Sequence, residues 1–331
     1  MGEAFSSNPE LVSSEFVSIE YKLSENIPSR DTVLAVGTFD GVHQGHQSLF
    51  KLLKEEAESR NLLPNVVTFR NHPREILTPG MNLNYISSLE DRIKLIRGQQ
   101  IDLITVLDFT RQLSCIKARD FCRLLVRDLR MKGLVVGPDF ALGHNREGDI
   151  KTLEGIGQEM GFSIKVIEPK LHGEQPIRSR LLRKIISEGG VETASKMLGR
   201  PFKLCGVVCK GAGRGASLGF PTANLAIESQ LLVPGDGVYA TWITVNGQKY
   251  KSATSIGTRP TFDSGQRSIE SYIMDFECDI YDTTVSLEFM VRIRDELYFE
   301  HHEDLIRQMQ DDVEQATVIL EGNVGCSNVG S

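Results

Sequence analysis

Two histidines three residues apart, His43 and His46, lie in the run Gly37-Thr38-Phe39-Asp40-Gly41-Val42-His43-Gln44-Gly45-His46. At that spacing both imidazoles can face one side of a helix's first turn. The unpaired N–H groups and the dipole at such a terminus favour anions. Two imidazoles there can donate hydrogen bonds to a polyphosphate as charge builds on departing pyrophosphate. Gly45 between them lets a nucleotide approach the backbone. Two other readings compete: a solvated pair of surface histidines, or two ligands of a zinc ion. Zinc needs a third ligand, and no histidine or cysteine cluster nearby supplies one. The apolar strand 33–36 ahead of the run decides for nucleotide, because phosphates bind at a glycine-bearing turn between a strand and a helix.

A second run, Lys210-Gly211-Ala212-Gly213-Arg214-Gly215-Ala216-Ser217-Leu218-Gly219, continues as Phe220-Pro221-Thr222-Ala223-Asn224. Its glycines permit a tight loop with backbone N–H groups turned towards phosphate. It is not a Walker A loop, since no Gly-Lys-[Ser/Thr] closes it, and on its glycines alone it reads as a flexible turn. A third candidate is Glu270. In a strand 268–276, alternation puts it on one face with Tyr272, Met274 and Phe276. A carboxylate on an apolar face is costly without a partner, so by itself Glu270 reads as a residue near a strand end, reaching solvent.

The elements that must position these residues change character along the chain. Short apolar strands at 33–39, 65–69, 101–107, 133–137 and 163–167 alternate with helical patterns at 47–60, 118–131 and 149–160. Leu49, Leu52 and Leu53 form an apolar stripe in the first of those helices. Strands separated by helices predict a doubly wound parallel α/β sheet. After Pro201 come strands at 202–210, 237–245, 248–256, 268–276 and 284–292, with a hairpin turn at Asn246-Gly247 and a closing helix at 303–320. That pattern predicts a small antiparallel β-barrel with a C-terminal helix. The expected domains are 15–187 and 202–321, joined by a helical linker 188–201. Residues 1–14 and the tail beyond Glu321 are expected to be disordered.

At 331 residues two domains are the natural expectation. A net charge of -7 argues against a nucleic-acid-binding surface. No apolar run is long enough to span a membrane, and the first residues lack the pattern of a signal peptide. The six scattered cysteines, with no Cys-x-x-Cys, predict reduced thiols and a cytoplasmic location. Trp242 and Phe289 are expected in the core, and Arg127 and Arg130 on a helix surface.

With these residues in view, the chain resembles the bacterial bifunctional riboflavin kinase/FMN adenylyltransferase family, or FAD synthetases, within the nucleotidylyltransferase superfamily. The resemblance rests on the His43-Gln44-Gly45-His46 run, on Val136-Gly137-Pro138-Asp139-Phe140-Ala141-Leu142-Gly143 with Arg146, Gly148 and Asp149, and on Thr68-Phe69-Arg70-Asn71-His72-Pro73, where Asn71 replaces the family's proline. In the second half it rests on Pro221-Thr222-Ala223-Asn224, Ile256-Gly257-Thr258-Arg259-Pro260-Thr261-Phe262 and Ile269-Glu270-Ser271-Tyr272. The resemblance implies that Thr222 and Asn224 hold the Mg²⁺ that bridges ATP phosphates. It makes Glu270 the general base towards the ribityl 5′-hydroxyl of riboflavin. Gly37, Phe39, Asp40, Gly45, Ser179, Arg183, Lys210, Gly211 and Gly219 would bind ATP and its phosphates, with His43 and His46 catalytic. It further implies riboflavin, FMN and ATP as substrates, no nucleic-acid or membrane partner, and a monomer or weak homo-oligomer. One stretch departs from the family: Ile177-Arg178-Ser179-Arg180-Leu181-Leu182-Arg183 stands where Ile-Ser-Ser-Thr-x-Ile-Arg is usual. Arg178 and Arg180 there could still neutralise phosphate, or could occlude the site by their bulk.

Overall fold

The computed structural model describes residues 27–78, 80, 81, 83–211, 215, 218–258 and 267–324. Outside them lie the N-terminal segment, residues 212–214, 216 and 217 of the glycine-rich run, the Arg259-Pro260-Thr261-Phe262 motif and the last residues of the tail. The chain forms two compact units. One takes in the chain up to Leu83 and Leu89–Ile177; the other takes in Asn84–Ser88 and the chain from Arg178 onward. Residues 178–187, expected with the first domain, thus group with the second unit.

In the first unit, β1 (Thr32–Gly37), β2 (Leu63–Phe69), β3 (Leu103–Leu107), β4 (Met131–Val136) and β5 (Ser163–Val166) form one sheet in the order β3-β2-β1-β4-β5. Every pairing in it is parallel. Alternation along β1 feeds two cores, as a sheet covered on both faces requires. Val33 and Ala35 pack with Leu49, Phe50 and Leu53 of helix α1 (Gln44–Ser59). Leu34 and Val36 pack on the other face with helices α5 (Ala118–Asp128) and α6 (Ile150–Met160), through Phe121, Leu125, Leu153 and Ile156. Three helices that the apolar pattern did not disclose lie between: α2 (Pro73–Leu77), α3 (Leu89–Arg97) and α4 (Arg111–Cys115). Helix α5 ends at Asp128, short of the expected 131, because Met131 already belongs to β4. A two-stranded hairpin, β6 (Leu171–His172) and β7 (Gln175–Pro176), follows β5.

The second unit opens with helices α7 (Ser179–Ser187) and α8 (Val191–Leu198). Six strands then close into a barrel: β8 (Phe202–Cys209), β9 (Thr222–Ala226), β10 (Gly237–Val245), β11 (Gln248–Thr258), β12 (Arg267–Ile273) and β13 (Thr284–Arg294), in the order β10-β11-β12-β9-β8-β13. Closure leaves no edge strand unpaired. Phe202, Leu204 and Val208 of β8 are buried while Lys203 and Val207 are exposed, so side chains alternate between barrel interior and outside. Strand β9 escaped the sequence reading, because Thr-Ala-Asn-Leu-Ala carries little of the β-branched or aromatic enrichment that marks a strand. Helix α9 (His302–Val324) packs on the barrel through Ala316 and Leu320 against Ala240, Ala253 and Met274. It runs to Val324, so Gly322 and the two residues after it, expected in a disordered tail, are helical.

Candidate functional site

The first site stands at the C-terminal ends of β1 and β4. From β1 the chain runs to β2 on one side and later returns to β4 on the other, so the strand order reverses here, and in open α/β sheets ligands bind in the crevice at such a switch point. The turn after β1 is held in an unusual backbone: Phe39, Gly41 and Val42 all have positive φ, at 48°, 75° and 39°. Asp40 and His43 are buried. His43 caps α1, its Nδ1 accepting from the His46 N–H at 3.4 Å, which leaves the His43 proton on Nε2. The two imidazoles stack at 3.6 Å between centroids, and Phe39 packs edge-on against His46 at 5.2 Å. A Cβ on Gly45 would lie 3.2 Å from the His43 ring and 3.4 Å from the Ile177 carbonyl, so a side chain there would crowd the stacked pair.

His46 keeps its Nδ1 buried with no hydrogen-bond partner. Burial, then the neighbouring His43, then the Arg92 guanidinium hold its imidazole well below the ordinary histidine pKa, so it is neutral at physiological pH. Around the turn, Thr68 Oγ1 and Arg92 Nη1 both donate to the Thr38 carbonyl, at 3.2 and 2.9 Å. Sequence reasoning missed Arg92; its spacing from buried Ile96, one turn on in α3, was the available cue. Asn71, where the family has proline, clasps the Phe109 backbone: its amide donates to the carbonyl and accepts from the N–H, each at 2.8 Å. A proline could make neither bond. At the end of β4, Arg146 donates to the Asp139 carbonyl at 2.8 Å, Asp149 caps α6, and Gly143 lies too close to Ala118 to carry a side chain. Ser179 begins α7, and Arg183, one turn on, donates Nε to the Asn84 carbonyl at 3.0 Å. Both belong to the second unit. Arg178 and Arg180 are exposed.

The second site is on the outer face of the barrel. Glu270 of β12 pairs across to Asn224 of β9, and Tyr272 to Thr222, so all four side chains share one face. Thr222 Oγ1 donates to Glu270 Oε2 at 3.2 Å, and Ser268 Oγ to Oε1 at 3.4 Å. The sequence expectation for this strand needs two corrections. Strand β12 ends at Ile273, where Asp275 turns the chain with a φ of 54°, so Phe276 is not on the Glu270 face. The buried face is that of Ile269, Ser271 and Ile273. Glu270 is therefore half-buried in mid-strand on the outside rather than at a strand end in solvent. Gly211 lies against the Asn224 amide with no room for a Cβ. Gly215 accepts from the Phe220 N–H at 2.8 Å, which folds the described part of the loop back towards Thr222. Lys210, Gly211 and Gly219 are exposed beside it. Phe289 is buried, as expected for the core, while Trp242 is only partly so.

The side-chain oxygens of Thr222 and Asn224 are hard donors of the kind that suits Mg²⁺. Among the described residues no group of three or more His, Cys, Asp and Glu could hold a metal. The donor set fits an ion shared between a few protein oxygens and substrate phosphate better than an all-protein cage.

A model of FAD synthetases matches residues 26–181, and a model of riboflavin kinases matches residues 198–320. The bifunctional riboflavin kinase/FMN adenylyltransferase of Escherichia coli strain K12 is 33% identical over 287 residues, which cover 86% of this chain and 91% of that protein. The chain belongs to the bifunctional riboflavin kinase/FMN adenylyltransferase family. The family's Listeria monocytogenes member is 34% identical over 85% of this chain, and its Bacillus subtilis member 32% over 86%. The crystal structure of a macrolide-efflux protein from Streptococcus pneumoniae superposes with a TM-score of 0.83 at 30% identity, covering 89% of this chain and 96% of that one. Among the described residues of this family member no helix is long and apolar enough to cross a membrane.

Proposed function

We propose that this chain phosphorylates riboflavin to FMN in the barrel and adenylylates FMN to FAD on the parallel sheet, using one ATP in each step. The observation that carries the reading is the convergence of Thr222, Asn224 and Glu270 on one outer face of the barrel. Glu270 takes the proton of the ribityl 5′-hydroxyl; the oxygen attacks the γ-phosphorus of ATP and the bond to the β-phosphate oxygen breaks, releasing ADP. Thr222 and Asn224 would hold Mg²⁺, which neutralises phosphate charge when bound. Lys210, Gly211 and Gly219 frame the phosphates.

In the other unit the FMN phosphate, already anionic, attacks the α-phosphorus of ATP and pyrophosphate leaves. Gly37, Phe39, Asp40 and Gly45 shape the nucleotide pocket. His43 and His46 donate hydrogen bonds to the pyrophosphate as charge develops. For Ser179 and Arg183, a role towards ATP phosphates rests on the family resemblance alone, with Arg178 and Arg180 replacing shorter residues beside them. By sequence the adenylyltransferase domain is assigned to 15–187, the linker to 188–201 and the kinase domain to 202–321, although 178–187 group by contacts with the second unit. We place the enzyme in the cytoplasm, as a monomer or weak homo-oligomer acting on small molecules.

The test is chromatographic, following FMN and FAD from riboflavin, ATP and Mg²⁺. FMN should appear first and FAD after it. Glu270→Gln should abolish FMN formation yet still convert supplied FMN to FAD, and His46→Asn should do the reverse. Full FMN formation by folded Glu270→Gln would refute the base assignment.

A further inference from the structure

Arg92 heads the large, fully buried side chains among the described residues, at 1% exposure, and lies on the inward face of α3 one turn from Ile96. A guanidinium taken out of water is costly unless it is hydrogen-bonded or paired where it lies. Its Nη1 donates to the Thr38 carbonyl at 2.9 Å and to the Phe69 carbonyl at 2.6 Å. These carbonyls stand at the C-terminal ends of the neighbouring parallel strands β1 and β2. Arg92 thus clamps the two strands together where the ligand-binding turn leaves the sheet. The clamped Thr38 peptide leads directly into Phe39, whose positive φ persists in a bulky residue only where surroundings enforce it. The Phe39 ring then sets the edge of the His46 imidazole.

We infer that Arg92 is a positioning residue for adenylyl transfer, fixing the Thr38–Phe39 turn that aims His46. The inference rests on the reading of His46 as a group of that site. Arg92 touches no reacting atom; it acts through Thr38 and Phe39. Its charge adds to burial and His43 in keeping His46 neutral.

The experiment compares Arg92→Met, Arg92→Lys and His46→Asn in the full chain, measuring kcat and the ATP KM for FMN to FAD, with thermal unfolding of the parallel-sheet unit as the control for its folding and riboflavin phosphorylation as the control for the barrel unit. A mis-set turn displaces the reacting geometry more than it weakens binding. Arg92→Met should therefore lower kcat by about 10- to 100-fold with the ATP KM changed by less than about threefold. Phosphorylation of riboflavin should stay within about twofold. Arg92→Lys, which keeps the charge and can donate to both carbonyls, should recover much of the lost kcat. Arg92→Met with kcat near wild type would overturn the inference, as would a loss shared equally by both activities or one that Arg92→Lys does not relieve. If His46→Asn keeps full adenylyl transfer, the reading of the site itself fails; if it loses transfer while Arg92→Met does not, Arg92 alone is wrongly assigned.

Discussion

At the scale of the residue, the fold changes what His46 and Cys122 can do. His46 has a folded-state pKa below the ordinary value of 6.5. Between those two values the unfolded chain binds the proton and the folded chain does not. Stability is therefore fully present above about pH 6.5 and falls as the pH drops below it. Chemical denaturation at a series of pH values should show this slope in the wild type and a shallower one in His46→Gln; equal slopes would mean that the imidazole is not held neutral. Cys122 is buried in the core between the sheet and α5, and burial raises its thiol pKa to about 12. In the native state it should resist alkylation under conditions where the exposed Cys115 and Cys278 react. Labelling of Cys122 at a comparable rate would show that the core opens readily.

At the scale of the element, the kinase site depends on two strands meeting. Strand β9 presents Thr222 and Asn224, β12 presents Glu270, and only their antiparallel register sets the three side by side. The glycine-rich loop adds a tight fit, because the Asn224 amide occupies the space a side chain at Gly211 would need. Gly211→Ala should push that amide aside and lower riboflavin phosphorylation by roughly tenfold or more, leaving FMN adenylylation unchanged. An unaffected kinase would show that the Asn224 position is not critical. On the other unit, Asn71 shows how an element end tolerates a departure from its family: its amide takes over backbone pairing between the ends of β2 and β3.

At the scale of the whole molecule, each unit is held by contacts internal to it. In the barrel unit, Arg294 at the end of β13 makes a two-pronged pair with Asp312 of α9, at 2.8 and 2.7 Å, with Gln308 supporting the carboxylate. Asp312 is 4% exposed, so removing it strands a guanidinium that is itself largely covered. Asp312→Ala should destabilise the barrel unit by about 2–3 kcal/mol, read as kinase activity lost at lower temperature while FMN adenylylation survives; parallel loss of both activities would contradict it. The sequence by itself determined the two-domain plan, the strand–turn–helix that carries His43 and His46, and most strands and long helices. Those features follow from local periodicity, glycine placement and capping, and need no distant partner. It did not determine which face of β12 lies inside, since alternation defines two faces and only barrel closure selects the one that is buried. Nor did it reveal β9, too short and too weakly β-forming to stand out until paired with β8 and β12. The burial of Arg92 was likewise settled by tertiary structure, which brings the Thr38 and Phe69 carbonyls at the ends of two neighbouring strands to its guanidinium.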